Sequence, residues 1–212
     1  MNTLDIHCLR EMLICISEKI IENEDYLTQI DLQTGDGDHG TSMALGFGAV
    51  HNMLIQRTDF SAARVLFKET GMTLIDSMGG TSGVIFGTLF ISGAVELPDT
   101  PELTLTQFTE MLERSLSAIM QRGRAVPGDK TMVDALMPAI KGLHHGINSG
   151  MSIPDTFAYA AAQAKNGMES TKTMQAKAGR AKAYRERSVG HEDAGAVSVY
   201  IMFQAISDYF NK

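Results

Sequence analysis

The chain has 212 residues, 44% of them hydrophobic and 20% charged, with a formal net charge of −7. That length allows one domain with a sizeable core, the acidic balance argues against general nucleic-acid binding, and every apolar run is broken before the roughly 18 residues a membrane span needs. No basic segment precedes an apolar one at the start, and Cys8 and Cys15 lie on one helical stretch too far apart to bridge, so a cytoplasmic protein with reduced thiols is expected.

Periodicity is helical almost throughout. Leu4, Cys8, Leu9, Met12, Leu13 and Ile16 share one face of a first helix, predicted to run to about Asn23. An acidic loop follows. Met43, Phe47, Val50, His51 and Leu54 mark a second helix from near Gly40, and Phe60 to Ser77 makes a third. Gly79-Gly80-Thr81-Ser82-Gly83 interrupts before a strongly apolar fourth helix from Val84 to Val95. A turn with Pro98 and Pro101 leads to Thr104 and a fifth helix reaching about Met120. Pro127-Gly128-Asp129 turns again, with Asp129 expected as N-cap of a sixth helix from Lys130. Ser152-Ile153-Pro154-Asp155 opens an alanine-rich seventh helix, whose small residues imply close packing, and an eighth runs from about Gly195 to Phe210. No stretch alternates with period two, so little or no sheet is expected. The fold class is all-α, a bundle of antiparallel neighbours joined by short turns, in a single domain over residues 1–212.

The glycine-rich polar clusters fall at 35–40, 79–83, 123–129 and 190–195, after the first, third, fifth and seventh helices. In an up-and-down bundle, junctions separated by an even number of helices share an end. The four clusters are therefore expected to meet at one end of the molecule.

Asp31-Leu32-Gln33-Thr34-Gly35-Asp36-Gly37-Asp38-His39-Gly40 packs three carboxylates, three glycines and a histidine into a short loop. Carboxylates crowded in this way repel unless a cation lies between them, and an all-oxygen set suits Mg²⁺ or Ca²⁺. An EF-hand fails, because His39 stands where an oxygen ligand belongs and the closing Glu is replaced by Phe47. Helix capping by Asp38 would explain one carboxylate and leave two. Three Asp and a nucleoside diphosphate, each at about −3, could share a site only with cations, and two Mg²⁺ bring the assembly near neutrality.

Neither a P-loop nor a dinucleotide-binding glycine fingerprint is present. Gly79 to Gly83 instead offers backbone N–H groups and two hydroxyls ahead of a helix, as a phosphate cradle would. Lys130-Thr131-Met132 recurs as Lys172-Thr173-Met174, where Met could floor a base or simply fill core. His39 stays open between ligand, phosphate donor and turn residue. Between Ser170 and Ser188, six basic residues face Glu186 alone, a local charge of +5. With Gly179 in its middle and a glycine-rich turn after it, this segment is either a solvated loop or a mobile cover for an anion.

Gly-Asp-Gly-Asp-His-Gly (35–40), Gly-Met-Thr-Leu-Ile (71–75), Gly-Gly-Thr-Ser-Gly (79–83), Pro-Gly-Asp-Lys-Thr-Met (127–132), Thr-Met-Gln-Ala-Lys-Ala-Gly-Arg (173–180) and Glu-Arg-Ser-Val-Gly-His (186–191) together resemble the L subunit of dihydroxyacetone kinases, in family order over nearly the whole chain. The resemblance implies a closed barrel of eight antiparallel amphipathic helices with nucleotide and two Mg²⁺ at one end. It implies that Asp31, Asp36 and Asp38 hold the metals and that His39, Gly40, Thr41 and Ser42 meet the phosphates. Thr81 and Ser82 would cover them, Gly123 and Met132 would contact the base side, and Arg180 with Asp193-Ala194-Gly195 would complete the pocket. Ala194 departs from the Pro usual in that turn.

Two forms of such systems exist. In one, a separate L subunit keeps ADP bound (ATP when phosphorylated), receives phosphoryl from a phosphotransferase-system protein and passes it to dihydroxyacetone held on a K subunit. In the other, exchangeable ATP is the donor and L is fused behind K. With no K-like half in the sequence, the separate subunit is expected. An ATP-dependent kinase subunit for another triose or tetrose, and a non-catalytic nucleotide-binding module, are the alternatives.

Overall fold

Helical periodicity is realised along almost the whole chain in the computed structural model, which describes residues 3–211. The elements are β1 (Thr3–Asp5), α1 (Ile6–Glu22), α2 (Glu24–Asp31), α3 (His39–Gln56), α4 (Ala63–Met78), α5 (Gly80–Ala94), β2 (Glu102–Thr104), α6 (Leu105–Gly123), α7 (Val133–Asn148), α8 (Ile153–Ser170) and α9 (Ala194–Phe210). Short 3₁₀ segments at Thr171–Thr173 and Arg180–Ser188 lie between α8 and α9.

Eight of these helices close a ring. α1 packs on α3, each helix from α3 to α8 packs on the next, and α9 returns to α1. Neighbours run antiparallel. Arg10, early in α1, donates to the carbonyls of Leu54 and Arg57 at the end of α3, and the Asp193 N–H before α9 reaches Thr171 after α8. The expected all-α barrel of eight antiparallel helices is what the chain forms.

Its interior is apolar. Leu9, Phe47, Leu66, Leu74, Leu143 and Phe157 are fully buried, each such side chain contributing roughly 1.5–3 kcal/mol by leaving water. The centre is nearly filled, with a gap of about 40 Å³ between residues such as Leu13, Phe90, Phe108 and Phe203.

Close crossings depend on missing side chains. A Cβ on Gly71 would lie 2.6 Å from the Gly87 carbonyl, and one on Gly87 would lie 2.8 Å from the Gly71 carbonyl. Between α7 and α8, Pro138 has no N–H for the Asp134 carbonyl. A Cβ on Gly167 would stand 2.2 Å from that oxygen.

The structure corrects three local readings. The first helix is followed at once by α2, which packs on α3 and α9 beside the ring. Only Leu27 of α2 is buried, too narrow a stripe for periodicity to show. The helix read as starting at Val84 begins at Gly80, because the break is confined to Gly79 and Gly80, with φ +66° and +56°. Asp129 does not cap α7; its carboxylate accepts from the Val126 N–H, while Lys130 turns left-handed and the helix starts three residues later, at Val133. As expected there is little sheet: among the described residues, one two-stranded ladder, β1 antiparallel to β2 with Leu4 opposite Leu103, too short for an alternation pattern. Cys8 and Cys15 form no disulfide, and among the described residues no helix is long and apolar enough to cross a membrane.

Candidate functional site

The ends of α1, α4, α6 and α8 and the starts of α3, α5, α7 and α9 meet at one end of the ring, as the helix-parity reading expected. There a cavity of about 370 Å³ opens among the acidic loop, the end of α6, the starts of α3, α5, α7 and α9, and the segment before α9. Asp31, Asp38 and His39 line it from the acidic loop, Thr81 and Ser82 from α5, Gly123 from α6, Met132 from the turn before α7, and Arg180 and Asp193 to Gly195 from the last connection.

The acidic cluster is built by local backbone. Asp31, the last residue of α2, accepts the Gly37 N–H at 2.8 Å and that of His39 at 3.4 Å, folding the loop back over its own start. A Cβ on Gly35 would fall 2.1 Å from an Asp31 carboxylate oxygen, so only glycine leaves this space open. One carboxylate oxygen from each of Asp31, Asp36 and Asp38 lies within 4.8 Å of the others. Arg180 already stands against this cluster, bonding Asp36 and, at 2.9 Å, Asp38. Desolvation alone would raise the Asp36 carboxyl, but the hydrogen bond and charge of Arg180 outweigh it and hold it below its ordinary value. Tyr184 adds a second tie, its hydroxyl donating to the Gly35 carbonyl at 2.9 Å. Three carboxylates this close are a donor set that could hold a divalent metal.

His39 is buried, with Nε2 2.8 Å from the Ser198 hydroxyl of α9. Desolvation pushes its imidazole below the ordinary value against the pull of Asp31 and Asp38. It reads as a neutral ring tying α3 to α9 at the cavity wall. Gly40, Thr41 and Ser42 do not line the cavity; they form the first turn of α3 beside it. Gly40 lets α2 approach, since a Cβ there would meet the Glu24 carbonyl at 2.2 Å. Asp36 stands outside the lining too, exposed at the rim.

The far wall is apolar, formed by Ile85, Phe86, Ile119, Ala125, Met132 and Val133. Asp193 N-caps α9 through the Ala196 N–H at 2.8 Å. Desolvation pushes its carboxyl up to about 7, opposed by that N–H and by Lys130. Sequence reading missed two buried charges. Lys130 sat unassigned in the Lys-Thr-Met repeat, and Asp134 was hidden in a helical pattern although it accepts from the Gly128 and Thr131 N–H groups. Ile85 and Ile119 carried no signal beyond hydrophobicity.

A helical ring with an acidic, glycine-rimmed cavity at one end is the frame of a known class of phosphotransferases, and the chain belongs to it: the DAK2 domain family matches residues 33–208. The chain is 40% identical over 183 residues to the ADP-binding subunit DhaL of the PEP-dependent dihydroxyacetone kinase of Escherichia coli strain K12, covering 86% of this chain and 87% of that one. It is 34% identical over 206 residues to the ADP-binding subunit DhaL of the PTS-dependent dihydroxyacetone kinase of Lactococcus lactis, covering 96% and 97%. The crystal structure of the C. freundii dihydroxyacetone kinase in complex with AMP-PNP and Mg²⁺ superposes with a TM-score of 0.76 at 25% identity, over 94% of this chain. This chain spans about a third of that kinase's length.

Proposed function

We propose that this chain is the ADP- and Mg²⁺-binding subunit of a cytoplasmic dihydroxyacetone kinase, one nucleotide-binding domain over residues 1–212. In this reading it relays phosphoryl from a phosphotransferase-system protein, through tightly bound ADP and ATP, to dihydroxyacetone held on a partner K subunit. The observation that carries it is the convergence of the three Asp, the glycine-rich helix starts and the basic segment on one cavity. Identity of 40% and 34% to proteins named as ADP-binding subunits supports the two-chain form.

Asp31, Asp36 and Asp38 would hold two Mg²⁺, which supply positive charge against the phosphate oxygens. His39 and Ser42, whose own N–H groups are taken by Asp31 and by the Asp38 carbonyl, would meet the phosphates through their side chains, while Gly40 and Thr41 would present leading N–H groups of α3, which have no carbonyl partner within the helix. Thr81 and Ser82 do the same from α5. Gly123 and Met132 sit on the apolar wall, suited to the flat face of a base. Arg180, with Asp193 to Gly195, closes the pocket over the acidic cluster. None of these groups supplies a nucleophile. They orient the phosphates, exclude water and spread negative charge, which is the main demand of phosphoryl transfer.

Mixing the chain with phosphoenolpyruvate labelled in its phosphoryl group and the phosphotransferase-system proteins tests the relay. Label is expected on nucleotide that stays with this chain through gel filtration, and then on dihydroxyacetone when a K subunit is added. Label that never reaches chain-bound nucleotide, together with rapid exchange of bound nucleotide for free ATP, would replace this reading with an ATP-dependent kinase subunit.

A further inference from the structure

Lys130 is 1% exposed, yet it belongs to no helix and adopts a left-handed φ of +62°, a conformation costly for a residue with a Cβ. It lines the cavity as well, but its ammonium is already engaged by two carbonyls. Nζ donates to the Thr171 carbonyl at 2.6 Å and to the His191 carbonyl. Those carbonyls stand at the two stems of the segment that carries Arg180 and Tyr184. The stems are also bonded to each other, Gly190 N–H to the Lys172 carbonyl at 2.7 Å and Asp193 N–H to the Thr171 hydroxyl at 3.0 Å. One further strand of the segment returns to the same turn, where the Lys177 N–H donates to the Asp129 carbonyl at 3.0 Å.

The charges around Lys130 are Asp193, Asp134 and Glu192. Two backbone carbonyls and these carboxylates account for the buried ammonium without any ligand. Left unmade, the two carbonyl bonds would strand a buried cation and both stems at once.

We infer that Lys130 is a positioning residue: its ammonium clasps the two stems of the segment between α8 and α9, and so sets the reach of Arg180 to Asp36 and Asp38. The link to nucleotide rests on the proposed function; the clasp does not. Lys130 acts through the segment it holds, and phosphate contact is left to Arg180.

Limited trypsin digestion of nucleotide-free protein tests the clasp, because Lys177, Lys182, Arg185 and Arg187 put exposed cleavage sites in the segment itself. Lys130→Met, which keeps the length and removes the donors, is expected to raise cleavage within residues 172–190 about tenfold while cleavage at Lys165 in α8 stays unchanged. Lys130→Gln restores N–H donors without charge and is expected to fall between; it carries the same test if the Met variant does not fold. Mg-ADP retention is then expected to drop about tenfold in Lys130→Met, and adding that change to Arg180→Gln is expected to cost nothing further, since both act through one arm.

Unchanged cleavage in a folded variant, cleavage that rises equally in the helices, or additive losses in the double variant would overturn the inference. Selective cleavage of the segment in a protein whose wild type binds no Mg-ADP upholds the clasp and removes the nucleotide reading instead.

Discussion

The two ends of the helical ring solve the same problem in different ways. At the end far from the cavity, α1 begins under the Asp5 carboxylate, α6 under the Thr104–Gln107 capping box and α8 under the Ser152 hydroxyl, and only α4 starts without a side-chain cap. That end is also tied by the β1–β2 ladder, with Leu4 and Leu103 buried. At the cavity end only α9 is capped by the residue before it, Asp193; α5 starts uncapped, α3 has its His39 N–H taken by Asp31, and at α7 the Val133 N–H donates to the Thr131 hydroxyl. A capped start satisfies its own N–H groups; an uncapped one leaves them for solvent or a ligand. The far end is thus the better satisfied of the two, and the open start of α5 with part of that of α3 suits the cavity end to the anion proposed above, with the acidic cluster beside it as the proposed seat of its cations.

The contrast breaks most visibly at the carboxylates. Asp36→Ala or Asp38→Ala is expected to lower Mg-ADP affinity by at least about 100-fold, beyond the 10–100-fold that outer-shell partners cost, while thermal unfolding moves little because both groups are exposed and paired only at the surface. Equilibrium dialysis with labelled ADP and a melting curve read the two quantities separately, and equal loss of both would erase the distinction between the ends.

Asp193 gives the next largest effect, as the one capping carboxylate at the binding end. Its folded pKa is raised to about 7, above the unfolded value. Between roughly pH 4 and 7 the native state therefore holds a proton that the unfolded state has lost, so stability falls as pH rises through that window and is level above it. The difference between wild type and Asp193→Asn, which keeps the cap, is expected to move against wild type by on the order of 3 kcal/mol over that range. Urea denaturation at several pH values measures it, and a difference moving the other way would mean that the attraction of Lys130 dominates.

At the far end, Thr104→Ala removes a cap and is expected to cost about 1 kcal/mol of stability, with Mg-ADP binding unchanged. Smallest is Ala194→Pro. Ala194 is the first residue of α9 and Asp193 before it is extended, φ −82° and ψ 127°, as a residue preceding proline requires. A gain of about 0.5–1 kcal/mol is expected from a stiffer unfolded chain, read by denaturant titration.

Most of the architecture was readable because the apolar periods of α1, α6 and α7 are strong and most neighbouring helices are joined by short connections. Helix parity then placed 35–40, 79–83, 123–129 and 190–195 at one end, and the cavity joins all four. What escaped notice had weak local signals. The exposed sides of α2 outnumber its buried ones, and β1 and β2 are held by a partner about 100 residues away. The start of α7 was misread because Asp129 looks like a cap, whereas Asp134, inside the helix, reaches back to Gly128 and Thr131. Gly40 to Ser42 fell beside the cavity because a sequence motif fixes neighbours along the chain and not the direction each one faces. Arg180 was placed by resemblance, but its contact with Asp36 and Asp38 depends on the path of a 3₁₀ segment that no periodicity describes.

The most direct measurement is calorimetric titration of ADP into nucleotide-free protein, once with Mg²⁺ and once with EDTA. Tight, roughly stoichiometric binding with Mg²⁺ that weakens at least about 100-fold in EDTA is the result expected if cations on Asp31, Asp36 and Asp38 anchor the diphosphate. Equal binding in both buffers, or none in either, would contradict the account.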